Sequence, residues 1–108
     1  MYGQRKTVVV ALAAAAADVL ASSATVSRYL YQLHVCETDN AAGTWTVSRG
    51  ADAEATRLIS QKAITGHATD NEHFYGLLIP AGTALQGFAD AATHVTLTII
   101  YDEIPLPT

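Results

Sequence analysis

A single cysteine among 108 residues rules out an internal disulfide framework and a cysteine-rich zinc site. Basic residues are also scarce. The six Lys and Arg (positions 5, 6, 28, 49, 57 and 62) are scattered, and the formal charge is -4 with a pI near 5.3. Nucleic acid, which needs a positive patch, is therefore not an expected partner. Aromatics make up only 7% although half the residues are hydrophobic, because Ala and Val supply much of the apolar count. A chain this apolar is expected to fold. The run "TVVVALAAAAA" has 11 residues before Asp18, too few to cross a bilayer, so no membrane is expected as a partner. Arg5 and Lys6 in front of it mimic a secretory signal. The run is instead read as part of the fold, a strand over 7–12 followed by an alanine-rich connection with room for one helical turn.

The rest reads as short strands. "ATVSRYLYQLHVCET" alternates so that Tyr29, Tyr31, Leu33 and Val35 share one side, with Arg28, Gln32 and His34 on the other. "DNAAG" is a turn cluster and "TWTVSRG" sets Trp45 and Val47 against Thr44, Thr46 and Ser48, so the two segments are expected to form an antiparallel hairpin. "ADAEAT" connects to a strand "RLISQKAI", "TGHATDNEH" reads as a polar loop, and "FYGLLI" as a strand buried on both faces. Pro80-Ala81-Gly82 makes a tight turn, followed by a strand "TALQGFA", the turn "DAAT" and a last strand "HVTLTIIY". The closing "PLPT" is expected to stop the sheet, because proline lacks the ladder donor. The predicted fold is all-β: one antiparallel β-sandwich, jelly-roll-like or immunoglobulin-like in outline, of about seven or eight short strands. It is a single domain over 1–108, with 1–24 as N-terminal strand and connection and 105–108 as a tail.

No catalytic constellation emerges. The serines lie outside any Gly-x-Ser-x-Gly elbow, and Asp102-Glu103 occupy adjacent strand positions that face opposite ways. The four histidines lack the His-x-His spacing of cupin-like metal sites, His34 and His94 stand isolated, and all four are read as solvent-facing. Asp70, Asn71 and Glu72 lack the spaced ligands of a calcium loop and read as a solvated tip. Cys36 reads as a small buried hydrophobe. No catalytic residue, metal ligand or cofactor is expected. Trp45 suits the core better than a sugar platform, although a carbohydrate-binding module is one alternative function.

"LLIPAGTALQGFADAATHVTLTIIYDEI" resembles the C-terminal half of a group of small β-sandwich structural proteins of tailed bacteriophages. The matching residues are Ile79, Pro80, Ala81, Gly82, Leu85, Ala89, Val95 to Ile99, Glu103 and Ile104. "YLYQLHVCETDNAAGTWTVSR" is similar to the group's first hairpin. The resemblance implies a non-enzymatic virion component, foremost a capsid decoration (cement) protein bound to the major capsid protein on the capsid surface after assembly in the host cytoplasm. A homo-oligomer is implied, with a trimer favoured; a tail or neck component is the alternative. Chain ends fray unless tied down, so Tyr2, Arg5, Pro105, Leu106 and Pro107 are expected at subunit or capsid interfaces. Tyr29 and Tyr31, sharing a face, suit either such an interface or the core.

Overall fold

A computed structural model describes residues 3–92 and 94–107. The strands are β1 (Gln4–Ala11), β2 (Ala17–Leu20), β3 (Val26–Glu37), β4 (Gly43–Arg49), β5 (Arg57–Ile64), β6 (Thr69–Ile79), β7 (Leu85–Ala89) and β8 (Val95–Pro105). They form two four-stranded antiparallel sheets, ordered β1-β8-β3-β6 and β2-β7-β4-β5. The pairs β1·β8, β2·β7, β3·β6 and β4·β5 each join strands equally far from the β4–β5 connection, like the rungs of one long folded ribbon. Rolling that ribbon lays β3 beside β8 and β4 beside β7. The result is the two-sheet sandwich that the strand count and turn spacing predict, and its strand order makes it a jelly roll.

The core lies between the sheets. In β8 every second side chain faces inward: Val95, Leu97, Ile99 and Tyr101 are all buried. They cluster with Leu30, Leu33 and Val35 of β3 and with Trp45, Val47, Leu85 and Ala89 of the second sheet. Each large apolar side chain so buried contributes about 1.5–3 kcal/mol. Trp45 is 0% exposed, and its indole Nε1 has no hydrogen-bond partner. At Pro80-Ala81-Gly82 the amide of Thr83 donates to the Pro80 carbonyl (3.1 Å), and Gly82 takes φ 85°. The positive φ comes at the third corner, where a type II turn requires glycine.

Several expectations are corrected. β3 and β4 do not form a hairpin, because the 38–42 turn carries the chain from one sheet to the other. Tyr31 does not share a side with Leu33 and Val35. A bulge at Tyr31 shifts β3 by one residue against β8, and opposite it β6 carries its own extra residues between His73 and Leu77, so Leu30 and Leu33 both point inward. "TDNEH" belongs to β6, so the loop is only 65–68. β6 is an edge strand with Tyr75 and Leu78 exposed, not a strand buried on both faces. Residues 12–16 contain bends and no helical turn, while a 3-10 turn (Glu54–Thr56) fills the β4–β5 connection. β8 runs on to Pro105, opposite Val26; as the final residue of the strand it needs no further ladder donor.

Candidate functional site

Two regions outside the core concentrate functional side chains. The first is the outer face of the β1-β8-β3-β6 sheet. Register places Arg5, Asp102, Tyr29 and Leu78 in one row across all four strands, with Val9, Thr98, His34 and Asn71 in another. Four of the exposed large hydrophobic residues lie here: Tyr75 (79%), Val9 (65%), Leu78 (41%) and Tyr31 (37%). Tyr75 stacks on His73, with ring centroids 5.7 Å apart. Gln32 Nε2 donates to Asn71 Oδ1 at 2.7 Å, and His34 Nδ1 lies 2.7 Å from the same oxygen. Arg5 bonds Asp102 at 2.5 Å, and its guanidinium sits 3.9 Å from the centroid of the Tyr31 ring. The hydrogen bond to Asp102 raises the already high Arg5 pKa, so the guanidinium keeps its charge.

Of the predicted interface residues, Arg5, Tyr29 and Tyr31 are thus brought together on this face. Pro105, Leu106 and Pro107 lie at the same end of the sheet, just beyond the Arg5–Asp102–Tyr29 row, where the Leu106 amide donates to the Thr25 carbonyl at 2.8 Å. Tyr2 lies outside the described residues. Asp70 and Glu72 do not form a loop tip with Asn71. They point to the other side of β6 and both engage Lys62 of β5, with Asp70 at 2.8 Å, clasping the two sheets along one edge. These hydrogen bonds, the one to Asp70 first, raise the Lys62 pKa.

The second region is a buried cluster at one end of the sandwich, which sequence reasoning missed. His94, expected to be isolated and solvent-facing, is buried. Its Nδ1 lies 2.6 Å from Glu37 Oε2 and its Nε2 2.8 Å from Asp90 Oδ1. Glu37, the last residue of β3, is also buried, and its Oε1 accepts the amides of Asp39 (2.9 Å), Ala41 (3.2 Å) and His67 (3.3 Å). Asp90 Oδ1 accepts the Thr44 amide at 3.0 Å. The cluster therefore ties together the 38–42, 65–68 and 90–94 connections. Both imidazole nitrogens engage carboxylates, which leaves neither lone pair for a metal. Gly43 has to be glycine here, because a Cβ would collide with the His94 ring and Asp90 Oδ1. The one local signal was the Asp90–His94 spacing across a turn; Glu37 lies 57 residues from its histidine.

Burial by itself would lower the His94 pKa, but the hydrogen bonds to Glu37 and Asp90 outweigh it and hold the pKa above 6.5. Burial likewise pushes Glu37 upward, yet the Ala41 amide, His94 and the other amides bring its pKa below 4.5. The Thr44 amide is the main cause of a lowered Asp90 pKa. Among the described residues there is no group of three His, Cys, Asp or Glu placed to hold a metal, and no cavity opens in the sandwich.

No protein-family profile matches the chain, and no curated protein matches it in sequence. A solved structure, the coat protein of Tobacco streak virus, is similar with a TM-score of 0.40 and 16% identity, covering 94% of this chain and 89% of that one.

Proposed function

We propose that this chain is a non-enzymatic structural protein of a virus particle, a capsid decoration protein of the tailed-bacteriophage kind that binds the major capsid protein lattice and braces it. The observation that carries this reading is the outer face of the β1-β8-β3-β6 sheet. Val9, Tyr31, Tyr75 and Leu78 lie exposed there, on a sheet whose opposite side packs on the core. Exposed apolar residues gathered on one face of a rigid scaffold suit protein docking. Tyr31, held by Arg5, and Tyr75, stacked on His73, are the kind of pre-ordered aromatic that anchors interfaces. The resemblance of residues 26–104 to phage decoration proteins supports the same reading and implies a homo-oligomer. The carbohydrate alternative loses its main candidate, since Trp45 has no exposed surface on which a sugar could stack.

The test is occupancy on intact particles. A Tyr75→Ser/Leu78→Ser variant, soluble and folded, is expected to bind capsid shells at least tenfold more weakly than the parent, and shells carrying the parent are expected to withstand more heat. Equal binding by parent and variant would reject the face; absence of parent binding to any shell would reject the function.

A further inference from the structure

Each sheet has two edges, and three of the four edge strands carry devices that hinder pairing with another chain. β2 has only four residues and a register shift between Asp18 and Leu20. β5 bulges where Gln61 takes φ 46°. β6 breaks register around Tyr75 (φ 53°) and Gly76 (φ 97°) and carries Asp70 and Glu72, bound to Lys62. Short strands, bulges and edge charges are how sheets blunt their edges.

β1 has none of these. Its eight residues pair with β8 without a break in register. Its two charges lie at the start of the strand and are neutralised within the chain, Arg5 by Asp102 and Lys6 by Glu103 (3.0 Å). From Thr7 to Ala11 it is uncharged, and Val9 is 65% exposed. The direction of the free hydrogen-bonding groups follows from one bond: the Leu12 amide donates to the Val95 carbonyl at 2.8 Å. Backbone groups alternate in direction along an antiparallel strand. Lys6, Val8 and Val10 therefore turn theirs toward β8, and Arg5, Thr7, Val9 and Ala11 present theirs at the open edge.

We propose that this edge is a pairing site for β1 of a second copy of the chain. The two strands run antiparallel about a two-fold axis at Val8, joining two β1-β8-β3-β6 sheets into one. In that register Thr7 faces Val9 of the second copy and Arg5 faces Ala11, so every outward-directed residue meets another and their amides and carbonyls are mutually satisfied. A second copy is the occupant because the strand matches its own reverse. Thr7, Val8 and Val9 oppose Val9, Val8 and Thr7 of the second copy. Lys6 faces Val10 and Arg5 faces Ala11, so no like charges meet. The two Arg5 side chains stand about 20 Å apart and the two Lys6 about 14 Å, beyond a Debye length. The contact uses the edge of the sheet rather than its outer face, so it stands or falls separately from capsid binding. A single strand pair buries less than a standard interface. The dimer is therefore weak in dilute solution and strengthened where many copies are held close together.

Residue-resolved amide exchange and sedimentation of the whole chain, up to about 1 mM, test this. Amides of Arg5, Thr7, Val9 and Ala11 are expected to exchange fast in dilute protein and to gain protection as concentration rises. Those of Val8 and Val10 are protected throughout, and the mass climbs toward a dimer. Val9→Lys and, separately, Thr7→Lys, both at exposed positions, are expected to weaken dimerisation at least tenfold, while Tyr75→Ser leaves it unchanged. A monomer at every concentration overturns the proposal, as does a dimer indifferent to both lysines. Protection of the same four amides only when capsid shells are added also overturns it, and assigns the edge to the shell protein.

Discussion

Glu37 and His94 face each other across 2.6 Å, buried, at the end of the sandwich where three connections converge. Removing the carboxylate strands a buried imidazole and three amides together. Glu37→Ala is expected to lower the Tm by roughly 10 °C or more, the scale of the most damaging single substitutions in a small domain. Glu37→Gln, which retains one acceptor, is expected to fall between the two. Thermal unfolding followed by circular dichroism measures both, and an Ala variant within about 2 °C of the parent would contradict the role assigned to the cluster.

The same cluster sets a pH dependence with a definite sign. His94 has a folded pKa raised above 6.5, so its contribution is complete below 6.5 and is lost as the pH climbs through the raised value. Glu37 and Asp90 have folded pKa values lowered from 4.5 and 3.8, so their contributions are present above those values and vanish as the pH falls through the depressed ones. The Tm is expected to be highest between about pH 4.5 and 6.5 and to decline on both sides. His94→Gln should be less stable at pH 6 and should lose most of the alkaline decline. Parallel declines above pH 7 in parent and variant would contradict the assignment.

Trp45 offers the simplest optical check. A fully buried indole is expected to emit at short wavelength and resist quenching by iodide, with no response to added oligosaccharides. Trp45→Ala should cost about 3–5 kcal/mol. Trp45→Phe should cost much less, because it also removes the buried Nε1 that lacks a partner. Ready quenching in the folded protein would contradict the core assignment.

The sequence was most legible where period-two alternation is strongest, broken only by the apolar Ile100. Val95 to Tyr101 reads as a half-buried strand, and the structure agrees, because a central strand has no freedom to slip. Alternation failed at Tyr31, where one extra residue reverses the pattern without any local marker such as glycine. The β3–β4 hairpin failed for a topological reason. A turn cluster between two strands looks the same whether the strands pair or cross to opposite sheets. The Glu37–His94–Asp90 cluster was invisible because its binding partners are brought together by the roll of the ribbon. The outer face was half legible: Arg5, Tyr29 and Tyr31 were named, while Tyr75 and Leu78 were assigned to a buried strand.

The strand order has a consequence for biosynthesis. β8 lies between β1 and β3, so while the chain is still emerging from the ribosome the first sheet lacks its central member, and β1 has no neighbour at all until residues 95–105 are made. Strands flanking the β4–β5 connection can meet early across short loops. Joining β1 to β8 closes a loop of nearly the whole chain and carries the largest entropic penalty. Pairing is therefore least costly near the middle of the ribbon, and β1, made well before its only strand partner, is the costliest strand to seat.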